Sequence, residues 1–247
     1  MIKRIFDIVA SIVGLILFSP VLLPVIYLVW RQDGASPFYV ADRTGLNNKP
    51  FKMVKLRSMI VNADASGVDS TSNADQRITK VGHFIRKFKL DEITQLWNVL
   101  KGDMSLVGPR PNVKRETDLY TLEEKKLLAT RPGITDFSSI VFSDEGAILE
   151  DFKDPDLAYH QYIRPGKSEL GLFYLENSNF YIDIALVLLT ALAIFSRQQA
   201  LVYLGRLMQS SGASEELIFL AARTSPLIPK PPPGATAIVQ SREGRSD

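Results

Sequence analysis

A long stretch without charge near the N-terminus constrains this chain more than any other feature. From Ile8 to Trp30, about 23 consecutive residues carry no charged side chain, and roughly 20 apolar residues suffice to cross a bilayer as a helix. The stretch is too long for the core of a signal peptide and lacks a small-residue cleavage site, so we expect it to be retained. Ser19-Pro20 interrupts it, and Pro24 follows. Because a proline inside a helix removes a hydrogen bond and kinks the rod, the sequence predicts a membrane-associated helix with a central break.

Basic residues lie on both sides of this stretch, and basic residues favour the cytoplasmic face of a membrane. Lys3 and Arg4 precede it, and the following flank carries Arg31, Arg43, Lys49, Lys52, Lys55 and Arg57. A straight span would place one basic flank outside, whereas a helix that enters, breaks at Ser19-Pro20 and returns keeps both flanks inside. The hydroxyl of Ser19 is a candidate partner for a backbone group that the break frees. From the residues alone, a kinked span and a re-entrant helix both remain open.

The rest of the composition excludes several classes of protein. The 247 residues carry a net charge of +2, and a nucleic-acid-binding domain would concentrate far more basic residues. No cysteine is present, so disulfides, thiolate catalysis and thiolate metal sites are excluded. The histidines are His83 and His160, and neither has the spacing of a metal ligand. We therefore interpret both histidines as structural or solvated.

Past the apolar stretch, the pattern predicts a mainly α-helical chain with one small β-hairpin. Two runs with strand character, residues 37–43 and 50–57, flank a turn-rich segment. Residues 184–195 are apolar but too short to span, so an interfacial helix, a helix packed on a partner and a buried core helix all remain open. We divide the chain into a membrane helix at 1–34, a central domain at 35–140, a C-terminal extension with interfacial or packing helices at 141–224, and a disordered proline-rich tail at 225–247.

Two adjacent carboxylates, Asp91 and Glu92, stand where the pattern predicts the start of a helix. Apolar residues then recur at helical spacing and give that helix one apolar face: Ile93, Leu96, Trp97 and Leu100. A helix N-terminus offers unpaired N–H groups and partial positive charge, so it favours carboxylates and bound phosphate alike. Basic residues surround the pair: Arg77, Lys80, Arg86, Lys87, Lys89 and Arg110. The arrangement suits chemistry on a phosphate, although two acidic residues in a first turn would also serve only to stabilise the helix.

Several motifs occur together between Lys3 and Thr135. The shorter ones are Lys3-Arg4-Ile5-Phe6-Asp7, Arg43-Thr44-Gly45, Lys55-Leu56-Arg57-Ser58-Met59, Arg77-Ile78-Thr79-Lys80-Val81-Gly82 and Arg131-Pro132-Gly133-Ile134-Thr135. The longest runs from Leu90-Asp91-Glu92 through Gln95-Leu96-Trp97-Asn98 to Gly108-Pro109-Arg110-Pro111. This set resembles the bacterial sugar transferase family, the monotopic phosphoglycosyl transferases that begin the assembly of polyprenol-linked glycans. The chain departs from the family pattern at Ile93-Thr94, where Leu-Pro is common, and at Asp136, where glycine is common.

The resemblance implies a reaction and the residues that perform it. In this family a phosphosugar moves from a UDP-sugar to polyprenol phosphate, with Mg²⁺, release of UMP and a covalent aspartyl-phosphosugar intermediate. By resemblance, Asp91 is the nucleophile, and Glu92 is catalytic and holds the metal. Our candidates for contacts to the substrate phosphates are Lys55, Arg57, Arg86 and Arg110, since basic side chains bind phosphate and arginine does so in a bidentate manner.

The resemblance also bears on architecture and location. It favours a monotopic membrane protein with an N-terminal re-entrant helix-break-helix, whose apex is Ser19-Pro20, and a helical cytoplasmic catalytic domain. The expected location is the cytoplasmic face of the bacterial inner membrane, and the region from Leu170 to Leu204 could form a homodimer contact. The alternative is a catalytically inert membrane scaffold of a glycan-assembly complex, because basic faces also bind anionic lipid headgroups.

Overall fold

The computed structural model describes residues 2–63, 71 and 75–241 of the chain. Within these residues the fold is mainly helical, and the helical character and the hairpin predicted from the sequence are confirmed. The helices are α1 (Ile2–Asp33), α2 (Lys80–Lys87), α3 (Leu90–Ile93), α4 (Leu96–Lys101), α5 (Lys114–Asp118), α6 (Phe137–Val141), α7 (Glu145–Ile148), α8 (Pro155–Ala158), α9 (Arg164–Asn177), α10 (Phe180–Phe195), α11 (Arg197–Ser210) and α12 (Glu215–Ala222). The strands are β1 (Phe38–Thr44), β2 (Pro50–Leu56), β3 (Ser105–Val107) and β4 (Gly133–Thr135).

Helix α1 runs without interruption through Ser19 and Pro20, and it contacts the rest of the chain along one stripe. Its buried residues recur at helical spacing: Asp7, Ser11, Leu22, Val25 and Val29. Between these two groups, residues 16–18 and 20–21 are all exposed. The Ser19 hydroxyl donates to the carbonyl of Ile16 at 2.7 Å. The predicted break is therefore a proline-containing segment inside one helix, and the contacts to the remaining structure lie on either side of it.

The first half of α1 is anchored by polar contacts over long sequence separations. The guanidinium of Arg4 donates to the carbonyl of Val99 at 2.6 Å and to a second carbonyl of α4 at 2.9 Å. The buried carboxylate of Asp7 accepts hydrogen bonds from the Ser105 hydroxyl at 2.9 Å and from the following backbone N–H at 3.0 Å. Because a buried carboxylate is costly unless it is hydrogen-bonded, these contacts fix the start of α1 against α4 and β3.

The second half of α1 is anchored by apolar packing. Val25 and Val29 are buried in a small cluster with Leu56 of β2, Ile85 of α2 and Leu90 of α3. Burial of such side chains is worth about 1.5–3 kcal/mol each relative to exposure. This half of the helix therefore packs directly beneath the segment that carries the two adjacent carboxylates.

The hairpin of β1 and β2 is antiparallel, as the turn-rich segment between the two runs predicted. Ala41 and Met53 face each other in the register and are both buried. Asn98 of α4 ties itself to β2, because its Oδ1 accepts from the N–H of Val54 at 2.9 Å and its Nδ2 donates to the carbonyl of Lys52 at 2.7 Å. The hairpin and the helices after the carboxylate pair are therefore one hydrogen-bonded unit.

The second sheet is a parallel pair, β3 and β4, that the sequence analysis did not predict. Gly133 at the start of β4 lies very close to Gly108, which follows β3. A Cβ on Gly133 would lie 2.1 Å from the nitrogen of Gly108, so both positions require glycine. This pair runs through the main core, whose largest fully buried side chains include Phe137, Ile140, Leu149, Ile163, Leu170, Leu186, Leu204 and Met208.

Helix α10 has one buried face and one exposed face. Ile182 and Leu186 pack into the main core, and the buried Asp183 accepts from the Lys3 ammonium at 2.5 Å and from the hydroxyl of Tyr174 at 2.7 Å. Phe195, on the other hand, is 88% exposed. One face of α10 is therefore a core face that also ties the extension to α1, and the other face is apolar and exposed.

The proline-rich tail departs from the disorder that its composition predicted, as far as residue 241. Val239 is buried, and its carbonyl accepts from the side chain of Gln161 at 2.8 Å. Lys230 pairs with Glu169 at 2.6 Å. The proline-rich segment therefore contacts distant parts of the chain, which its composition alone does not predict. Residues 242–247 of the predicted tail lie outside the part that the structure describes.

Candidate active site

The carboxylate pair lies on α3, a single short turn of helix that begins after a residue with left-handed backbone geometry. Lys89 has φ 56° and ψ 26°, which is unusual for a residue with a side chain. Leu90 is buried in the apolar cluster with the second half of α1, and Asp91 and Glu92 are half-buried. The hydroxyl of Thr94 donates to the carbonyl of Asp91 at 3.0 Å and lies 3.3 Å from that of Val54. One buried leucine and one threonine thus hold the pair against α1 and β2.

Glu92 forms a close ion pair with Arg110. Its Oε1 lies 3.0 Å from a terminal nitrogen of Arg110, and the ammonium of Lys89 lies 3.9 Å away. The other terminal nitrogen of Arg110 donates to the carbonyl of Ile134 at 2.7 Å. Burial alone would raise the pKa of Glu92, but Arg110 and two nearby lysines outweigh it and hold the pKa at about 2. Glu92 is therefore an ionised carboxylate at neutral pH.

Asp91 lies close enough to Lys55, on the second strand of the hairpin, for the two charges to act on each other. Burial raises the pKa of Asp91 above its usual range, while the charge of Lys55 opposes that rise and the charge of Glu92 adds to it. Burial also lowers the pKa of Lys55 to about 8, although the Asp91 carboxylate opposes this. Two carboxylates and two cations thus share a small region in which each charge changes the protonation of the others.

The structure does not bring all of the predicted phosphate-binding residues together. Lys55 and Arg110 lie at the carboxylate pair, and Arg86 is close enough to lower the pKa of Asp91. Arg57 is different, because its guanidinium contacts both carboxylate oxygens of Asp33 at 2.5 and 2.7 Å and donates to the carbonyl of Ser36 at 2.8 Å. Arg57 therefore joins the end of α1 to β2, and its contact to a substrate phosphate stays a prediction without geometric support.

Sequence reasoning missed three contributors to the site. Lys89 lowers the pKa of Glu92, Arg43 is among the charges that lower the pKa of Lys55, and the buried Asp136 raises the pKa of Arg110. Arg43 stood in a motif already singled out, and Lys89 was among the basic residues around the pair, so both gave an available signal. Asp136 stood out only as a departure from the family pattern, and its effect on Arg110 depends on the fold.

The donor set fits one kind of metal ion. Among the described residues, no group of three or more Asp, Glu or His side chains could enclose a metal. Mg²⁺ does not need such a group, because it keeps several waters and is usually bound by one or two carboxylates together with substrate phosphates. Glu92, ionised at neutral pH and next to Asp91, is a donor of that type.

Comparison with known proteins places the chain in a family. The model of the family described as "Bacterial sugar transferase" matches residues 1–197. The chain belongs to this family. The match includes α1, the hairpin, the carboxylate pair and α10, so the whole site described above lies inside it. The resemblance inferred from the motifs is thereby confirmed.

Two of three similar relatives are longer proteins that are named for an activity, and the third is uncharacterized. The chain is 32% identical over 198 residues to a UDP-N-acetylgalactosamine-undecaprenyl-phosphate N-acetylgalactosaminephosphotransferase of Aeromonas hydrophila, covering 79% of this chain and 44% of the relative. It is 36% identical over 213 residues to an undecaprenyl-phosphate galactose phosphotransferase of Salmonella typhimurium, covering 80% and 41%. It is also 36% identical over 188 residues to the uncharacterized sugar transferase EpsL of Bacillus subtilis, covering 76% and 84%. The chain thus spans about two fifths of the first two relatives.

Proposed function

We propose that this protein transfers a phosphosugar from a UDP-sugar to a polyprenol phosphate and releases UMP. The observation that carries the proposal is the arrangement of charge in the site: Arg110 pairs with Glu92 at 3.0 Å, and the charge of Lys55 acts on the pKa of Asp91. The relatives from Aeromonas and Salmonella are named for sugar-phosphate transfer to undecaprenyl phosphate, which agrees with this chemistry. The two names differ in the sugar, which is N-acetylgalactosamine in one and galactose in the other.

In the proposed reaction, a carboxylate oxygen of Asp91 attacks the phosphorus that carries the sugar. The bond from this phosphorus to the bridging oxygen breaks, and UMP leaves with that oxygen. An oxygen of the polyprenol phosphate then attacks the same phosphorus, which frees Asp91 and forms a polyprenyl diphosphate sugar. Carboxylates form such acyl phosphates in other enzymes, and splitting the transfer divides one difficult step into two easier ones.

Repulsion between the nucleophile and the diphosphate is the main obstacle to this step. Two unit charges about 4 Å apart interact by roughly 4 kcal/mol at an effective dielectric of about 20. Lys55 and Arg110 offset part of this term, and Arg86 lies close enough to act on Asp91 as well. We assign Glu92 as the protein ligand of Mg²⁺, which when bound supplies further positive charge at the phosphates. The low pKa of Glu92 keeps that ligand ionised.

The two anchored halves of α1 support a re-entrant arrangement. Arg4 and Asp7 bind α4 and β3, and Val25 and Val29 pack beneath α3, so both halves contact the elements around the carboxylate pair. A transmembrane span would put these two groups of anchors on opposite sides of the bilayer. We therefore propose that α1 dips into the cytoplasmic leaflet of the bacterial inner membrane with its exposed central segment lowest. The site then lies where a soluble nucleotide sugar and a lipid phosphate can both arrive.

The nucleophile is tested by trapping the labelled phosphosugar on the protein. We expect the parent chain, given Mg²⁺ and a panel of radiolabelled UDP-sugars, to release UMP and to retain label. Asp91→Asn should lose both, because an amide is a poor nucleophile. Asp118→Asn is the matched control, since Asp118 is a surface residue that pairs with Lys114, and it should keep both.

The outcomes separate the alternatives. Label retained in Asp91→Asn would move the nucleophile to another residue. If the parent chain releases no UMP with any sugar of the panel, although it is folded and membrane-bound, the inert scaffold becomes the better description.

A further inference from the structure

A cavity of about 90 Å³ is linked to the carboxylate pair by one shared residue, Arg110. Arg110 forms part of its wall, and the same guanidinium contacts Glu92 at 3.0 Å. Other walls come from the end of β1, from the segment after β3 and from α9 with the π-helical turn before it. We call this space the Arg110 cavity. The proposed reaction assigns no role to this cavity.

The wall of the Arg110 cavity is rich in hydrogen-bonding groups. Asn112 donates from Nδ2 to the hydroxyl of Tyr120 at 2.7 Å, and its carboxamide also hydrogen-bonds Tyr159. Burial raises the pKa of both tyrosines well above the usual range, so their hydroxyls stay protonated and can donate. Asp136 and Ser138 also line the cavity. A buried polar wall of this kind favours a ligand that carries many hydroxyl groups over an apolar one.

Size and position narrow the ligand further. A volume of about 90 Å³ has room for several waters but not for a whole nucleoside diphosphate sugar, so the cavity accepts one edge of a single ring. In a nucleoside diphosphate sugar, the sugar is bonded through one oxygen to the phosphorus that Asp91 would attack. The base is separated from that phosphorus by a ribose and a second phosphate. A space that shares Arg110 with the carboxylate pair is therefore in the right place for the sugar.

We propose that the Arg110 cavity receives one edge of the donor's sugar ring, and that Tyr159 and Asn112 select which sugar is accepted. The inference rests on the proposed function and deepens it by naming a subsite. It also gives the part of the chain after residue 140 a role, because Tyr159, Lys167 and Gly171 belong to that part and line the cavity. Sugars that differ at one hydroxyl or at an acetamido group would be distinguished by hydrogen bonds to this wall.

Tyr159→Phe tests the proposal, because it removes one hydroxyl and keeps the ring. Tyr162→Phe is the matched control: Tyr162 lies three residues away, stacks on Phe152 at 5.0 Å and does not line the cavity. The full-length protein in nanodiscs is assayed for UMP release with UDP-galactose, UDP-glucose, UDP-N-acetylgalactosamine and UDP-N-acetylglucosamine. The inhibition constant of UMP is measured in parallel.

We expect Tyr159→Phe to change the ratio of kcat/KM between two of these sugars by about tenfold, the effect of one hydrogen bond. The inhibition constant of UMP should not change, and Tyr162→Phe should leave all values as they are. Unchanged sugar ratios in Tyr159→Phe would overturn the proposal. Weaker inhibition by UMP with unchanged sugar ratios would instead place the base in the cavity, which overturns it as well.

A second variant, with its own control, distinguishes an effect on the cavity from a folding defect. Leu128→Trp narrows the cavity, whereas Leu122→Trp places the same side chain at a position in the same segment that is 86% exposed. We expect Leu128→Trp alone to raise KM for the UDP-sugars without weakening inhibition by UMP; an unchanged KM would overturn the proposal. Absence of UMP release by the parent chain would defeat the proposed function and this inference together. UMP release by the parent chain together with unchanged sugar ratios in Tyr159→Phe would overturn this inference but not the proposed function.

Discussion

At the scale of single residues, Arg110 connects three parts of the site. One terminal nitrogen contacts Glu92 and the other donates to the carbonyl of Ile134, so the guanidinium spans from α3 to β4. The same side chain forms part of the wall of the Arg110 cavity. A lysine could not reproduce this arrangement, because an ammonium is a point charge and lacks the planar fork of the guanidinium. Arg110 thus sets both the charge of Glu92 and the border of the cavity.

Lys55 gives the site a dependence on pH. Burial lowers the pKa of Lys55 to about 8, so the side chain is charged below this pH and becomes neutral as the pH rises through it. A neutral amine binds phosphate poorly. We therefore expect kcat/KM for the UDP-sugar to fall above about pH 8, since this parameter reports ionisations of the free enzyme. The measurement is a profile of UMP release from about pH 6.5 to about pH 9.5, a range that brackets the pKa of Lys55.

Lys55→Arg separates this explanation from a general loss of activity in base. Arginine stays protonated throughout that range, so the variant should lose the decline above about pH 8 even if its activity is lower. Lys52→Arg is the control, because Lys52 is an exposed residue of the same strand that pairs with Asp42. An alkaline decline that persists unchanged in Lys55→Arg would assign it to another group.

At the scale of secondary-structure elements, α1 and α4 approach closely at Gly14. A Cβ placed on Gly14 would lie 2.9 Å from Cδ1 of Leu96, so any larger side chain must push the two helices apart or move the leucine. We expect Gly14→Leu to destabilise the protein by about 1–3 kcal/mol, as overpacking does in other cores. In a chain of this size that lowers Tm by about 2–4 °C per kcal/mol.

Gly205→Leu is the control for the same substitution in a helix. A Cβ on Gly205 of α11 has nothing within 4 Å, so a leucine there should be tolerated. Thermal unfolding of both variants in nanodiscs is the measurement, with UMP release as a second readout. Equal Tm values for Gly14→Leu and the parent chain would mean that α1 does not pack on α4 as closely as the structure has it.

Elements with a local signal could be predicted, and those that depend on distant partners could not. The length of α1, the hairpin and the position of Asp91 and Glu92 near a helix start follow from runs and spacings in the sequence. The parallel pair β3–β4 gives no such signal, because each strand has three residues and the partners are separated by more than twenty positions. The ion pair of Arg57 gave no local signal for the same reason, since its partner Asp33 is fixed by the fold.

At the scale of the whole molecule, the contacts of α1 determine which side of the membrane each end occupies. We expect both the start of the chain and the catalytic domain to face the cytoplasm. The chain has no cysteine, so a single Ile2→Cys or Leu122→Cys provides a unique label site. Both positions are exposed. In intact cells a membrane-impermeant maleimide should label neither variant, and after permeabilisation it should label both. Labelling of Ile2→Cys in intact cells would mean that α1 spans the bilayer.

The order of the two half-reactions is a property of the whole molecule, since one substrate arrives from water and the other from the membrane. If Asp91 carries the phosphosugar between them, UMP can form before any polyprenol phosphate binds. We expect the purified protein with Mg²⁺ and a UDP-sugar, but without acceptor, to release about one equivalent of UMP per chain and then stop. Addition of polyprenol phosphate should restart turnover, and Asp91→Asn should give no burst. A protein that releases UMP only when both substrates are present would transfer the sugar phosphate directly within a ternary complex, and α1 would then serve to bring the two substrates together rather than to present a loaded aspartate to the lipid.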